Sequence, residues 1–237
     1  MTFALLCLPS ALLTPAGQVP LPPRQIRRAA DLAMNFLDDF VSSMRGENYP
    51  PPIVESKVIR LRFATTAGDF SVDLDRALSP NGVDRFVDLA TSGVFDSQIL
   101  YRVVPGFLLQ FGVAADPAVH AQWDTPETRL ADEPNRAPFR RGTLSFAGSG
   151  PNSRTCHAFI ALEPYGRQLG KADHEAALGQ VCESDLHVLD RIVRNFQKTG
   201  YPDVTGLQGD LVRQGNSAAA EYPALDSILR VEEEQVL

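Results

Sequence analysis

The residues best placed to do chemistry lie in one stretch, Tyr101-Arg102-Val103-Val104-Pro105-Gly106-Phe107-Leu108-Leu109-Gln110, where a single guanidinium sits among aliphatic and aromatic side chains and an amide closes the run. Burying a charge in such company is unfavourable unless oxygen acceptors surround it. Arg102 is therefore either paired with a structural carboxylate, such as Asp73 or Glu133, or set on a cleft where a ligand supplies the oxygen. Two short strands around a Pro105-Gly106 turn account for the pattern. Alternation puts Leu100, Arg102, Phe107 and Leu109 on one side and Leu108 and Gln110 on the other.

Other reactive side chains are sparse. Cys7, Cys156 and Cys182 are too few for a disulfide framework and show neither CxxC nor zinc-ligand spacing. His120, His157, His174 and His187 lack the i, i+4 spacing of a helical metal site. The spacings predict structural thiols, no metal and no cofactor. A net charge of −7 and a pI near 5.1 argue against nucleic-acid binding, which needs a concentrated basic surface.

The elements that would position Arg102 come in order. Phe3 to Leu13 is apolar but broken by Pro9 and shorter than the ~20 residues of a membrane-spanning helix, so no transmembrane segment is expected. Arg24, Arg27 and Arg28 precede the first acidic residue, Asp31. The segment reads as the front of an organellar transit peptide, with mitochondrion or plastid favoured over secretory or cytosolic addresses, or as an apolar extension lying on a partner. Ile26, Ala29, Ala30, Ala33, Phe36, Leu37, Phe40, Val41 and Met44 recur at helical spacing and predict an amphipathic helix over Arg24–Met44. It either packs on the following domain or docks on a partner or membrane surface. Prolines in Glu47–Pro52 mark a linker, dividing an extension, 1–52, from a domain, 53–237.

From Val58 the period changes to that of strands. Val58–Ala64 and Phe70–Leu74 form a hairpin around Ala67-Gly68. Ser79 and Pro80 open a helix with Val83, Phe86, Val87, Leu89 and Ala90 inward, stopped at Gly93. Ala114–Arg141 reads as a long loop. Strands follow at Gly142–Phe146, Ala158–Leu162 and Leu178–Cys182. A helix then carries Leu186, Leu189, Ile192 and Val193 on one face. Gly200–Asp226 reads as loop, and Ile228–Val231 as the last strand. Short strands without βαβ alternation predict a mainly β fold: a closed antiparallel barrel capped by two helices.

These pieces, in this order, resemble a cyclophilin-type peptidyl-prolyl cis/trans isomerase domain over Val58 to Val231. The resemblance rests on Phe63-Ala64-Thr65-Thr66-Ala67-Gly68-Asp69-Phe70, Tyr101 to Gln110, Arg141-Gly142-Thr143-Leu144-Ser145-Phe146-Ala147, Gly150-Pro151-Asn152-Ser153 and Ala158-Phe159-Ile160. It implies a closed eight-stranded barrel whose outer groove takes a proline-containing peptide or unfolded protein. Arg102 would be the catalytic arginine, Phe107, Leu108 and Phe159 the proline pocket, and Gln110 a contact to the peptide backbone. Ala147 and Gly148 would line the groove, with Tyr101 and His157 beside it.

Several positions depart from the family. The loop Glu163–Ala177 has no tryptophan; Tyr165 and Leu169 could fill that place, and His174 stands near the family's histidine. Tyr101 replaces a histidine or tyrosine, His157 a glutamine and Gly148 an asparagine. Phe111 stands where glycine is usual, and a ring there would reshape the groove. The resemblance thus implies an isomerase acting through Arg102. The alternative is a cyclophilin-fold subunit of a larger organellar assembly, held by residues 1–52, with weak or no activity.

Overall fold

In the computed structural model the described residues are 56–162, 169–172, 174–201 and 206–234. The helix expected over Arg24–Met44, the boundary at 52 and Tyr165 lie outside them. Strands β1 (Val58–Thr65) and β2 (Phe70–Asp75) alternate as their sequence requires, with Leu61, Phe63, Phe70, Val72 and Leu74 buried. Their pairing sets Phe63 opposite Phe70, and the rings stack at 4.8 Å. On the other face Arg60 reaches across to Asp73 with two hydrogen bonds of 2.6 and 2.8 Å.

Six further strands complete the sheet: β3 (Arg102–Val104), β4 (Leu108–Phe111), β5 (Thr143–Phe146), β6 (Ala158–Ala161), β7 (Ala177–Val181) and β8 (Ile228–Glu234). They are hydrogen-bonded in the order β3-β4-β6-β5-β7-β2-β1-β8, all neighbours antiparallel. The eight antiparallel strands are as expected, but β3 and β8 remain edges rather than joining in a ladder. One bridge, Ile99 to Ser227, and the bonds Leu100 N–H to Asp226 O (2.9 Å) and Ile228 N–H to Gln98 O (2.8 Å) link the chain beside them. Helices α1 (Pro80–Thr91) and α3 (Leu186–Thr199) bury Phe86 and Ile192, among others, against the sheet.

The two stretches read as loop each hold a short helix. Pro117–Trp123 forms α2, with the Asp116 carboxylate accepting from Ala118 N–H at 2.8 Å, and Leu207–Gln214 forms α4. At seven and eight residues these helices are too short to show a repeating apolar face, and tertiary packing holds them. Ser79 stands at the N-cap of α1 as expected, but its hydroxyl donates to Glu133 instead of capping the helix. Glu133 takes the capping role, accepting from Asn81 N–H at 2.8 Å and Gly82 N–H at 2.9 Å. Its carboxylate also pairs at 3.2 Å with the fully buried Arg154. One buried charge thus ties the 114–141 segment to α1 and to the chain ahead of β6.

Glu133→Gln would take the nearer carboxylate from the buried Arg154 charge and leave it Asp132 Oδ1 at 4.0 Å, a loss of about 3 kcal/mol. Urea unfolding should show a lower midpoint at unchanged slope; a loss below about 1 kcal/mol would contradict this role.

Candidate active site

The turn between β3 and β4 contains Gly106 at φ 73°, a left-handed conformation that glycine adopts without strain. The register pairs Arg102 with Gln110, Val103 with Leu109 and Val104 with Leu108. Opposed residues of an antiparallel pair share a face. Arg102 therefore stands with Leu108 and Gln110, not with Leu109, which corrects the alternation read from the sequence. The three-residue connection restores the parity that a simple corner would have flipped. Val103, Leu109 and Phe111 enter the core.

On the outer face, half-buried Arg102 donates from Nη1 to Gln110 Oε1 at 3.0 Å, and its guanidinium carbon lies 5.9 Å from the Phe107 ring centroid. Its Nε is buried with no hydrogen-bond partner. Among the described residues no carboxylate forms an ion pair with it: Asp73 is engaged by Arg60, and Glu133 by Arg154 and α1. Neither Asp73 nor Glu133 is therefore its structural partner. What remains is a cation with donors to spare.

Beside Arg102, β6 pairs with β4 so that Phe159 lies opposite Gln110 and Ala161 opposite Leu108. Leu108, Phe159 and Leu169 belong to one apolar cluster, against which Phe107 and Ala147 pack. Leu169, one of the two residues offered for the place of the missing tryptophan, is therefore packed against Leu108 and Phe159. Phe139 joins the cluster, its ring 6.1 Å from that of Phe159. Sequence reasoning missed Phe139, since it sits in a proline-rich stretch with no period to flag it. On the other side of Arg102 a polar groove of about 510 Å³ is lined by Gln110, Ala147, Gly148, His157 and Asp124, among others.

The remaining expectations divide. A Cβ on Gly148 would come within 2.8 Å of Ser153 Oγ and 2.9 Å of His174 Cδ2. His174 therefore packs against Gly148 and occupies the space that a side chain at position 148 would need. Tyr101 does not line the groove. It is fully buried with Val113, Leu207 and Leu211 behind β3, and burial pushes its phenol well above the usual range. Its hydroxyl lies 3.4 Å from both Phe111 O and His157 Nδ1. Phe111 does not reshape the groove either: it packs in the core, edge-on to Phe63, Phe86 and Phe95 at 6.0, 6.5 and 5.6 Å.

His157 does face the groove, with Nε2 3.3 Å from Asp124 Oδ2. Asp124 also accepts from Thr155 Oγ1 at 2.7 Å and lies 3.4 Å from His120 Nε2. Hydrogen bonds from His120 and His157 hold its carboxyl far below the usual carboxylate range. Of its partners His120 is local, four residues earlier, while Thr155 and His157 come from the chain leading into β6 and gave no signal around Asp124.

Residues 60–206 match the family of cyclophilin type peptidyl-prolyl cis-trans isomerase/CLD, and the chain belongs to that family. Peptidyl-prolyl cis-trans isomerase-like 1 of Aspergillus niger is 32% identical over 134 residues, covering 55% of this chain and 78% of that protein. Peptidyl-prolyl isomerase CWC27 of Yarrowia lipolytica is 30% identical over 188 residues, 72% of this chain and 49% of that one. A solved cyclophilin of Cryptosporidium parvum superposes with a TM-score of 0.55 at 18% identity, covering 76% of this chain and 100% of its own, which establishes the shared fold.

Phe111→Ala is expected to cost about 3–5 kcal/mol of stability, as for a core aromatic, while leaving KM for a proline peptide unchanged in the folded protein. Denaturant unfolding and peptide kinetics check the two halves. A change in KM at undiminished stability would return Phe111 to the groove.

Proposed function

We propose that this chain catalyses cis/trans isomerisation of Xaa-Pro bonds and that Arg102 carries the catalysis. The observation that supports this most directly is a half-buried guanidinium on the outer sheet face with an unsatisfied Nε and no carboxylate partner among the described residues, beside the apolar cluster of Phe107, Leu108 and Phe159.

The chemistry needs little else. The prolyl amide resists rotation with a barrier of ~20 kcal/mol because its C–N bond has partial double-bond character. A donor aimed at the prolyl nitrogen lone pair favours the twisted geometry, in which that pair has left conjugation, over either planar form. A guanidinium has five donors in a rigid fork, enough to hold Gln110, bind the peptide carbonyl and face the nitrogen together. The apolar cluster retains the proline ring while the chain before it rotates. Gln110 fixes the fork and offers its amide to the peptide backbone. No nucleophile or base takes part, since no bond is broken.

A relative from Cryptosporidium parvum was solved in the presence of the dipeptide Ala-Pro, which accords with a proline-containing ligand for this fold. Attachment to a larger assembly through residues 1–52, and an organellar address, belong to the same proposal and are supported only by the composition of that segment.

NMR exchange spectroscopy on an Ala-Pro peptide tests the assignment. Arg102→Ala should lower kcat/KM by about 10²–10³-fold, the usual effect of removing one preorganised donor, and Arg102→Lys should recover only part of it. A folded Arg102→Ala protein that keeps most of its activity would refute the role of Arg102.

A further inference from the structure

Behind the groove wall the fold assembles a cluster that the isomerase chemistry does not use. His120 comes from α2, while Cys156 and His157 come from the chain entering β6. One ring nitrogen of each histidine and the cysteine Sγ all lie within 4.8 Å of one another. His120 is 2% exposed, and Cys156 is fully buried. Cys156 Sγ is 3.8 Å from His120 Nδ1. Asp124 faces the opposite edge of both rings, its Oδ2 3.3 Å from His157 Nε2 and 3.4 Å from His120 Nε2. His120 Nε2 is buried against Asp124, while its Nδ1 meets the Cys156 sulfur. Two imidazoles and a thiol converge here with their nitrogen and sulfur donors turned toward one another, the arrangement of a ligand set.

We propose that Cys156, His120 and His157 form a binding site for a thiophilic divalent metal ion of the zinc class, with Asp124 as the carboxylate that orients the two imidazoles. Thiolate with imidazole is the donor set such ions prefer. Zinc–sulfur and zinc–nitrogen bonds of about 2.3 and 2.0–2.1 Å, at a tetrahedral angle, separate the two donors by about 3.6 Å. The 3.8 Å between His120 Nδ1 and Cys156 Sγ needs almost no adjustment to reach it. The carboxylate behind the rings supplies the outer partner that metal-bound histidines usually have. As the metal–sulfur bond forms, the thiol proton leaves to solvent; no oxidant or reductant is involved. Ion, thiolate and carboxylate together are neutral, which suits a buried site. Three protein donors leave a fourth position for water.

The placement has a consequence for the groove. Asp124 and His157 are among its lining residues beside Arg102, so an ion held behind them fixes that wall. The sequence could not show this site, because His120 lies 36 residues before Cys156 and meets the Cys156-His157 pair only in the folded chain.

Cobalt(II) titration of the tag-free full chain, read by absorbance, tests the proposal. Expected are one cobalt per chain with tetrahedral d–d absorption, a thiolate-to-cobalt charge-transfer band, and displacement of both by zinc. The charge-transfer band should vanish in Cys156→Ser and persist in the Cys7→Ser/Cys182→Ser double variant, where Cys156 is the sole thiol. Should Cys156→Ser fail to fold, His157→Gln, which alters a partly exposed wall residue, should weaken cobalt binding more than tenfold. Absence of the band at stoichiometric cobalt, its survival in folded Cys156→Ser, its loss in the double variant, or unchanged affinity in His157→Gln would overturn the site. None of these readouts depends on isomerase activity.

Discussion

Arg102 keeps its charge at the rim of an apolar cluster because β3 and β4 pair with Arg102 opposite Gln110, which holds one arm of the guanidinium at 3.0 Å and leaves the remaining donors uncommitted. A shift of one residue in that register would send Arg102 into the core among Val103 and Leu109, where no acceptor waits. The left-handed glycine in the turn, the three-residue connection and the inward packing of Leu109 and Phe111 all enforce the one register that keeps the cation outside. Carboxylates that could have neutralised it are occupied elsewhere, Asp73 by Arg60 and Glu133 by Arg154.

The groove beside Arg102 depends on chain outside the sheet. Glu133 and Arg154 anchor the 114–141 segment to α1 and to the approach to β6, and that anchoring sets Asp124 and Thr155 where they meet. Charges are buried where they fix the path of irregular chain and left exposed where a ligand is to bind. Both follow from one rule, that a buried charge must be satisfied. His174 packs against Gly148 of that groove.

Much of this was legible in the sequence, and the failures have identifiable causes. The β1–β2 hairpin, α1 and α3 announce themselves because each buries one face, so period 2 or 3.6 is written into the residues. The family-like motifs named Phe107, Leu108 and Phe159 for a proline pocket and Gln110, Ala147, Gly148 and His157 for the groove; the first three share an apolar cluster, and the last four line one groove with Arg102. Tyr101 was misplaced because a strand-end tyrosine can turn to either side, and only α4, invisible as a period, draws it inward. Phe111 looked obstructive because the family resemblance implies a glycine there, and a glycine gives no hint of facing the core. The cluster of His120, Asp124, Cys156 and His157 was unreadable for another reason: its geometry is purely tertiary.

The account rests on where the proline carbonyl and nitrogen lie relative to one guanidinium. A crystal structure of the chain with a bound Ala-Pro-containing peptide tests that directly. It should show an Arg102 nitrogen about 2.8–3.0 Å from the prolyl carbonyl oxygen, the pyrrolidine ring against Phe159 and Phe107, and the Arg102–Gln110 bond intact. A peptide seated away from Arg102, or an Arg102 that stays bonded to Gln110 alone while the proline binds, would contradict it.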